Sequence, residues 1–139
     1  MDESMILYVI MRIRLIRVLR EVIREARRKL ERGEYSLDEL AIRVRLGKDI
    51  SDYKPPYPPH VKAALLLRSK GHDVRKGDEI AYVFVRHEPY IMPMEMACPE
   101  DIDVERYMEM LFAVLDQVAE PFDIDVRKLD GERKLEELL

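Results

Sequence analysis

From Ile6 to Leu30 the apolar residues do not alternate with polar ones; they recur at steps of three and four. Ile13, Ile16, Leu19, Val22, Ile23, Ala26 and Leu30 mark one side of a helix, and Arg12, Arg14, Arg17, Arg20, Arg24, Arg27, Arg28 and Lys29 fill the gaps. The spacing predicts a long amphipathic helix ended by Gly33. Ser36 then opens S-L-D-E-L, where Glu39 stands three residues after the serine as a capping box requires, so a short helical turn follows. The period changes at Leu40–Leu46: Ile42, Val44 and Leu46 alternate with Arg43 and Arg45, which predicts an extended segment with one buried and one cationic face.

Gly47 and Lys48 interrupt that segment, and the chain runs through Asp49–Tyr53 into Y-K-P-P-Y-P-P-H-V-K-A-A, Tyr53–Ala64. Pro55, Pro56 and Pro58 fix φ and hold the residues before them extended, whereas Pro59 suits a first helical turn, where its missing N–H costs nothing. A helix is expected over about Pro59–Lys70, with Gly71 just past its end. Ile80–Val85 is apolar on both alternating faces, as for a strand covered on both sides. Residues 87–102 carry Pro89, Pro93 and Pro99 and predict an irregular excursion or loose hairpin. The clearest amphipathic helix comes last: Asp103 is the N-cap candidate, Val104, Tyr107, Met108, Leu111, Phe112, Leu115 and Val118 follow at helical steps, and Pro121 stops it. The fold class is therefore α+β, mainly helical, with long amphipathic helices and a small β element.

Composition narrows the setting. The 139 residues are 47% apolar without a membrane-length apolar run, so one modest core in a soluble, cytoplasmic domain is expected, with no membrane partner. The single cysteine, Cys98, has no internal partner for a disulfide, which fits a reducing compartment. Met5–Met11 is apolar for only seven residues, with acids before it and arginines after it, the wrong order for a secretory signal. Charged residues reach 37% while Asn is absent, a bias of proteins from hot environments. The net charge of −4 conceals a division: residues 1–76 hold 18 Lys and Arg against 11 Asp and Glu, and residues 77–139 hold 6 against 17. Solvated helix faces account for such a basic half as well as a phosphate-binding surface does.

Metal and nucleophile chemistry find little support. Glu100, Asp101, Asp103 and Glu105 suit the start of a helix, and neither they nor Asp123 and Asp125 follow a calcium-loop spacing. His72, His87 and Cys98 are scattered, and the alternating Met92, Met94 and Met96 suit core filling or a contact surface. No metal and no cofactor is expected.

In order, R-L-G-K-D-I-S-D-Y-K (Arg45–Lys54), P-P-H-V-K-A-A (Pro58–Ala64), S-K-G-H-D-V-R-K-G-D-E-I-A-Y-V-F-V (Ser69–Val85), I-D-V-E-R-Y (Ile102–Tyr107) and E-P-F (Glu120–Phe122) resemble the thumb of family B DNA polymerases, the archaeal ones above all. The resemblance spans about residues 18–122 and lies in the order and spacing of the pieces rather than in any one of them. It implies a thumb-like fold that grips primer–template duplex DNA, mostly through phosphates. It also implies that Lys48 is the basic residue of a DNA-facing loop, that Tyr53 and Lys54 are the Y-K pair, and that His60 opens a helix whose N–H groups face a phosphate, with Lys62 beyond it. Two readings stay open for these residues, since Tyr53 also suits a packing anchor and His60 a helix start bonded to backbone. Gly47 departs from the family, standing where Thr or Ser is usual, so that only its backbone N–H remains for a phosphate.

The larger departure is that the palm and finger motifs D-T-D, S-L-Y-P-S-I and K-K-x-Y are missing. Because such nucleotidyl transfer needs two metal ions held by palm carboxylates, the chain is not expected to polymerise DNA by itself. The resemblance implies a non-catalytic thumb subunit that supports DNA replication by a separate family B catalytic subunit. Residues 1–125 would then form the DNA-binding domain, residues 1–17 a helical extension and candidate subunit contact, and residues 126–139 a tail. Alternatives are a fragment of a longer polymerase and a stand-alone regulatory nucleic-acid-binding module of the same shape.

Overall fold

The computed structural model describes residues 2–130; Met1 and residues 131–139, the far part of the expected tail, lie outside the described residues. The elements are α1 (Glu3–Arg32), α2 (Leu37–Leu40), β1 (Ile42–Arg45), α3 (Pro59–Ser69), β2 (Glu79–Phe84), β3 (Ile91–Pro93), α4 (Val104–Ala119) and α5 (Val126–Asp130), joined by short 3-10 turns. They divide into two compact units, one made of Gly33–Asp103 and the other of the described residues up to Arg32 and from Val104 onward.

In the helical unit, α1 packs against α4 and α5. Leu19 and Ile23 of α1 meet Met108, Phe112 and Ala119 of α4, with Ile124 and Val126 closing the cluster. Ile16, Ala26 and Leu30 lie partly buried against it, as the spacing predicts, but Ile13, Val22 and Val118 are exposed. Ile13 is six residues from Leu19, and Val118 six from Phe112; at 100° per residue each is turned about 120° from the stripe it was expected to join. Val22 stands at the stripe's margin. Arg27 holds the polar side of the packing, its side chain only 15% exposed and bonded to Asp130 and Glu105, both at 2.6 Å. Those two carboxylates, Asp130 first, raise the guanidinium's pKa. Gly33 adopts φ +68° immediately after α1, a conformation that only glycine enters freely, and the helix stops there.

In the sheet unit, Ser36 and Glu39 form the expected capping box around α2. The three strands run in the order β1-β2-β3, both pairs antiparallel, with Val44 opposite Ile80 and Val83 opposite Met92. Ile80 through Phe84 are all buried, which explains the run with no polar face. α3 covers β2 and β3 with Val61, Ala63, Ala64 and Leu67 among its buried residues. Within 87–102 the hairpin alternative holds: β3 is short, and its Pro93 occupies an edge strand, where a missing N–H is tolerated. On β1 the exposed Arg43 is neutralised by Asp38 and Glu79, while Arg45 donates to the Gly77 carbonyl.

Candidate nucleic-acid interface

The loop between β1 and α3 is fixed at its base before any of its side chains is considered. Leu46 is buried and exchanges backbone hydrogen bonds with Gly77 and Asp78 at 2.8 and 2.9 Å. The Asp49 carboxylate accepts from the Lys76 N–H at 3.3 Å, and the buried Ile50 starts a 3-10 turn whose carbonyl accepts from the Tyr53 N–H. Tyr53 is thereby returned towards the start of the loop. The Gly47 N–H donates to its hydroxyl at 3.3 Å, the Lys48 ammonium stands 5.0 Å from its ring centroid, and His60 meets the ring edge-on at 6.1 Å. Gly47, Lys48, Tyr53 and His60 therefore gather around one half-buried aromatic ring. Lys54 and Lys62 are exposed and outside that contact set.

Prolines set the approach to α3. Pro58 is the N-cap with extended backbone, Pro59 has no N–H to give, and the Val61 and Lys62 N–H groups both reach the Pro58 carbonyl at 3.0 Å. No side chain caps this end, so among the described residues the His60 N–H is the open donor of the first turn.

Carboxylates engage some of the cations, and among the described residues the lysines here share their lack of a carboxylate partner with Arg14, Arg17, Arg68 and Lys70. Arg27, Arg28, Arg43, Arg75 and Arg127 are each engaged by carboxylates. Among the described residues Lys48, Lys54 and Lys62 form no such pair. The loop's own acids, Asp49 and Asp52, are both exposed, Asp49 accepting from the Lys76 backbone N–H.

The other expected candidates fall elsewhere. Asp123 and Asp125 line an open groove of the helical unit with Arg12, Asp116, Glu120 and Lys128. Among the described residues no group of three or more His, Cys, Asp or Glu is placed to hold a metal. Sequence reasoning missed the partner of His87: its Nδ1 faces the Glu88 carbonyl at 3.0 Å and its Nε2 the Asp101 carboxylate at 3.3 Å, which together raise its pKa. Antiparallel closure of residues 85 and 102 brings these side chains together, and no spacing in the sequence signals that bridge.

A second surface lies at the start of α1. Met5, Ile6, Leu7, Tyr8, Val9, Ile10 and Met11 are all exposed, Leu7 at 59% and even Ile10 at 41%. The apolar residues here run around the whole helix. No described helix is long and apolar enough to cross a membrane.

The family description DNA polymerase family B matches residues 11–122, most of the chain. The chain belongs to DNA polymerase family B. It is 39% identical over 104 residues to DNA polymerase 1 of Saccharolobus solfataricus, covering 75% of this chain and 12% of that protein. To DNA polymerase 1 of Aeropyrum pernix it is 34% identical over 121 residues, covering 87% and 13%. Among solved structures, the family B DNA polymerase of the hyperthermophilic archaeon Pyrobaculum calidifontis aligns with a TM-score of 0.54 and 28% identity over 80% of this chain and 13% of that one. This polymerase segment thus spans about an eighth of its relatives' length, at 12% and 13%. Its resemblance to archaeal, heat-adapted polymerases agrees with the charge-rich, Asn-free composition.

Proposed function

We propose that this segment is the duplex-gripping thumb of a family B DNA polymerase, non-catalytic by itself, holding primer–template DNA by its phosphates while a separate family B catalytic chain performs synthesis. The observation that carries the reading is a loop already fixed in shape that gathers Lys48 and the Tyr53 hydroxyl at one ring, with Lys54 exposed on the same loop. Lys48, Lys54 and Lys62, with the Tyr53 hydroxyl and the His60 N–H, offer cations and N–H or O–H donors but no base-reading geometry, a combination suited to sequence-independent phosphate contact, while the Gly47 N–H is taken by Tyr53. Because the loop is closed by Leu46, Asp49 and Ile50, little ordering entropy remains to be lost when DNA arrives. The exposed apolar start of α1, within residues 1–17, supplies the contact to the catalytic chain, since such a surface is larger than a free helix end requires.

The test joins the purified chain to a family B catalytic chain from the same source that ends before this region. Gel filtration is expected to show a complex, and the complex to extend primers further per binding event than the catalytic chain does, while this chain with nucleotides and magnesium extends none. Separate elution of the two proteins overturns the subunit assignment, and extension by this chain alone overturns the non-catalytic one.

A further inference from the structure

Gly47 is a glycine for no conformational reason. Its φ lies outside the left-handed region, and a Cβ built on it would meet nothing closer than the Tyr53 hydroxyl, at 3.9 Å, which is ordinary contact. The space beside Gly47 is open and has a hydroxyl at its edge. That hydroxyl accepts the Gly47 N–H at 3.3 Å, so the one backbone donor Gly47 has is already engaged. A phenol that accepts through its oxygen still has its own proton to donate, and among the described residues nothing takes it. The same ring holds the Lys48 ammonium over its face at 5.0 Å. An O–H donor and a cation thus stand at one half-buried ring.

We propose that the Tyr53 hydroxyl is a phosphate-binding donor, polarised by the Gly47 N–H and paired with the Lys48 ammonium, so that one phosphodiester oxygen is reached through Tyr53 rather than through the Gly47 backbone. The assignment rests on the reading of this loop as a duplex grip. Accepting an N–H strengthens the phenol as a donor, because hydrogen bonds in a chain polarise one another. The ligand is a phosphodiester anion and not a base, since neither group reads a base edge.

The experiment uses the whole chain and a short blunt duplex at low salt, followed by chemical shifts of the Gly47 and Lys48 amides, which report even millimolar binding. Tyr53→Phe keeps the ring, and with it the seat of Lys48, and removes only the hydroxyl. It is expected to weaken binding about tenfold, the loss of one hydrogen bond to a charged group, without changing the salt dependence, because no charge is lost. Adding Gly47→Ser to Tyr53→Phe places a new hydroxyl in the open space and is expected to restore most of the affinity, which a change in packing alone would not do. Unchanged binding by Tyr53→Phe overturns the assignment, as does a shallower salt dependence, which would make the ring only a seat for Lys48. Failure of Gly47→Ser to restore binding in a normally melting protein also overturns it. If Lys48→Ala and Lys54→Ala bind as wild type, it is the duplex-grip reading that falls.

Discussion

Removing single lysines from the β1–α3 loop should change the salt dependence of DNA binding by a fixed step. Each phosphate neutralised on duplex DNA contributes about 0.9 to the slope of log affinity against log salt. Three lysines without carboxylate partners, Lys48, Lys54 and Lys62, therefore contribute about −2.7 to the slope. Lys48→Ala or Lys54→Ala should reduce that contribution to about −1.8, so that a rise from roughly 50 to 200 mM salt costs the variant about 3.5-fold less than it costs the wild type. The absolute loss should be larger for Lys48, whose ammonium is already placed over the Tyr53 ring, than for Lys54, which must be ordered on binding. Asp52→Asn, on the same exposed loop, should act in the opposite sense and tighten binding. Anisotropy of a labelled primer–template, measured with the catalytic chain present, gives the slopes. Lys29→Ala and Arg32→Ala remove the same charge from exposed positions in the last turn of α1, away from residues 1–17, and should leave the slope unchanged. Equal effects of the helix and loop variants would refute the reasoning in favour of diffuse attraction; no effect of either lysine would refute the loop itself.

Two further outcomes test the fold. Ile23→Ala should cost about 2–5 kcal/mol in chemical denaturation, because Ile23 is 1% exposed among α4 side chains, whereas Ile13→Ala, the same change at an exposed position of the same helix, should stay within about 0.5 kcal/mol; similar losses would show that the stripe is misassigned. In an NMR titration the His87 imidazole should have its midpoint above about 6.5, since acceptors face both ring nitrogens and only the imidazolium can donate to both, and Asp101→Asn should lower it. Because the folded value is raised, this contact stabilises the fold fully below about pH 6.5 and is lost as pH rises through the folded midpoint; a midpoint at or below 6.5 contradicts the geometry.

The elements were legible where one local rule decides them. The capping box at Ser36 and Glu39, the helix start at Pro59 and the strand that begins beside Ile80 each follow from residues a few positions apart. Ile13 and Val118 were misread because an apolar residue at a three- or four-step looks like core until successive steps accumulate to a third of a turn. The loop's residues were visible as types, but their convergence was not. Gly47 and Tyr53 are six residues apart in a segment without a period, and only the burial of Ile50 turns the chain so that hydroxyl and amide meet.

The division of charge along the sequence admits the same correction. Its basic half offered two explanations, solvated helix faces or a phosphate surface, and composition weighs them equally. Pairing accounts for part of the basic half. Arg27, Arg28 and Arg43 lie in the basic half yet are bound to Asp130, Glu105, Glu25, Asp38 or Glu79, so their charge is largely met within the fold. An anion approaching them must compete with carboxylates at hydrogen-bond distance, whereas Lys48 and Lys54 are not bonded to one. Part of the arginine excess in the first half of the chain is thus met within the fold, while other cations, the lysines of the β1–α3 loop among them, stay open to an approaching anion.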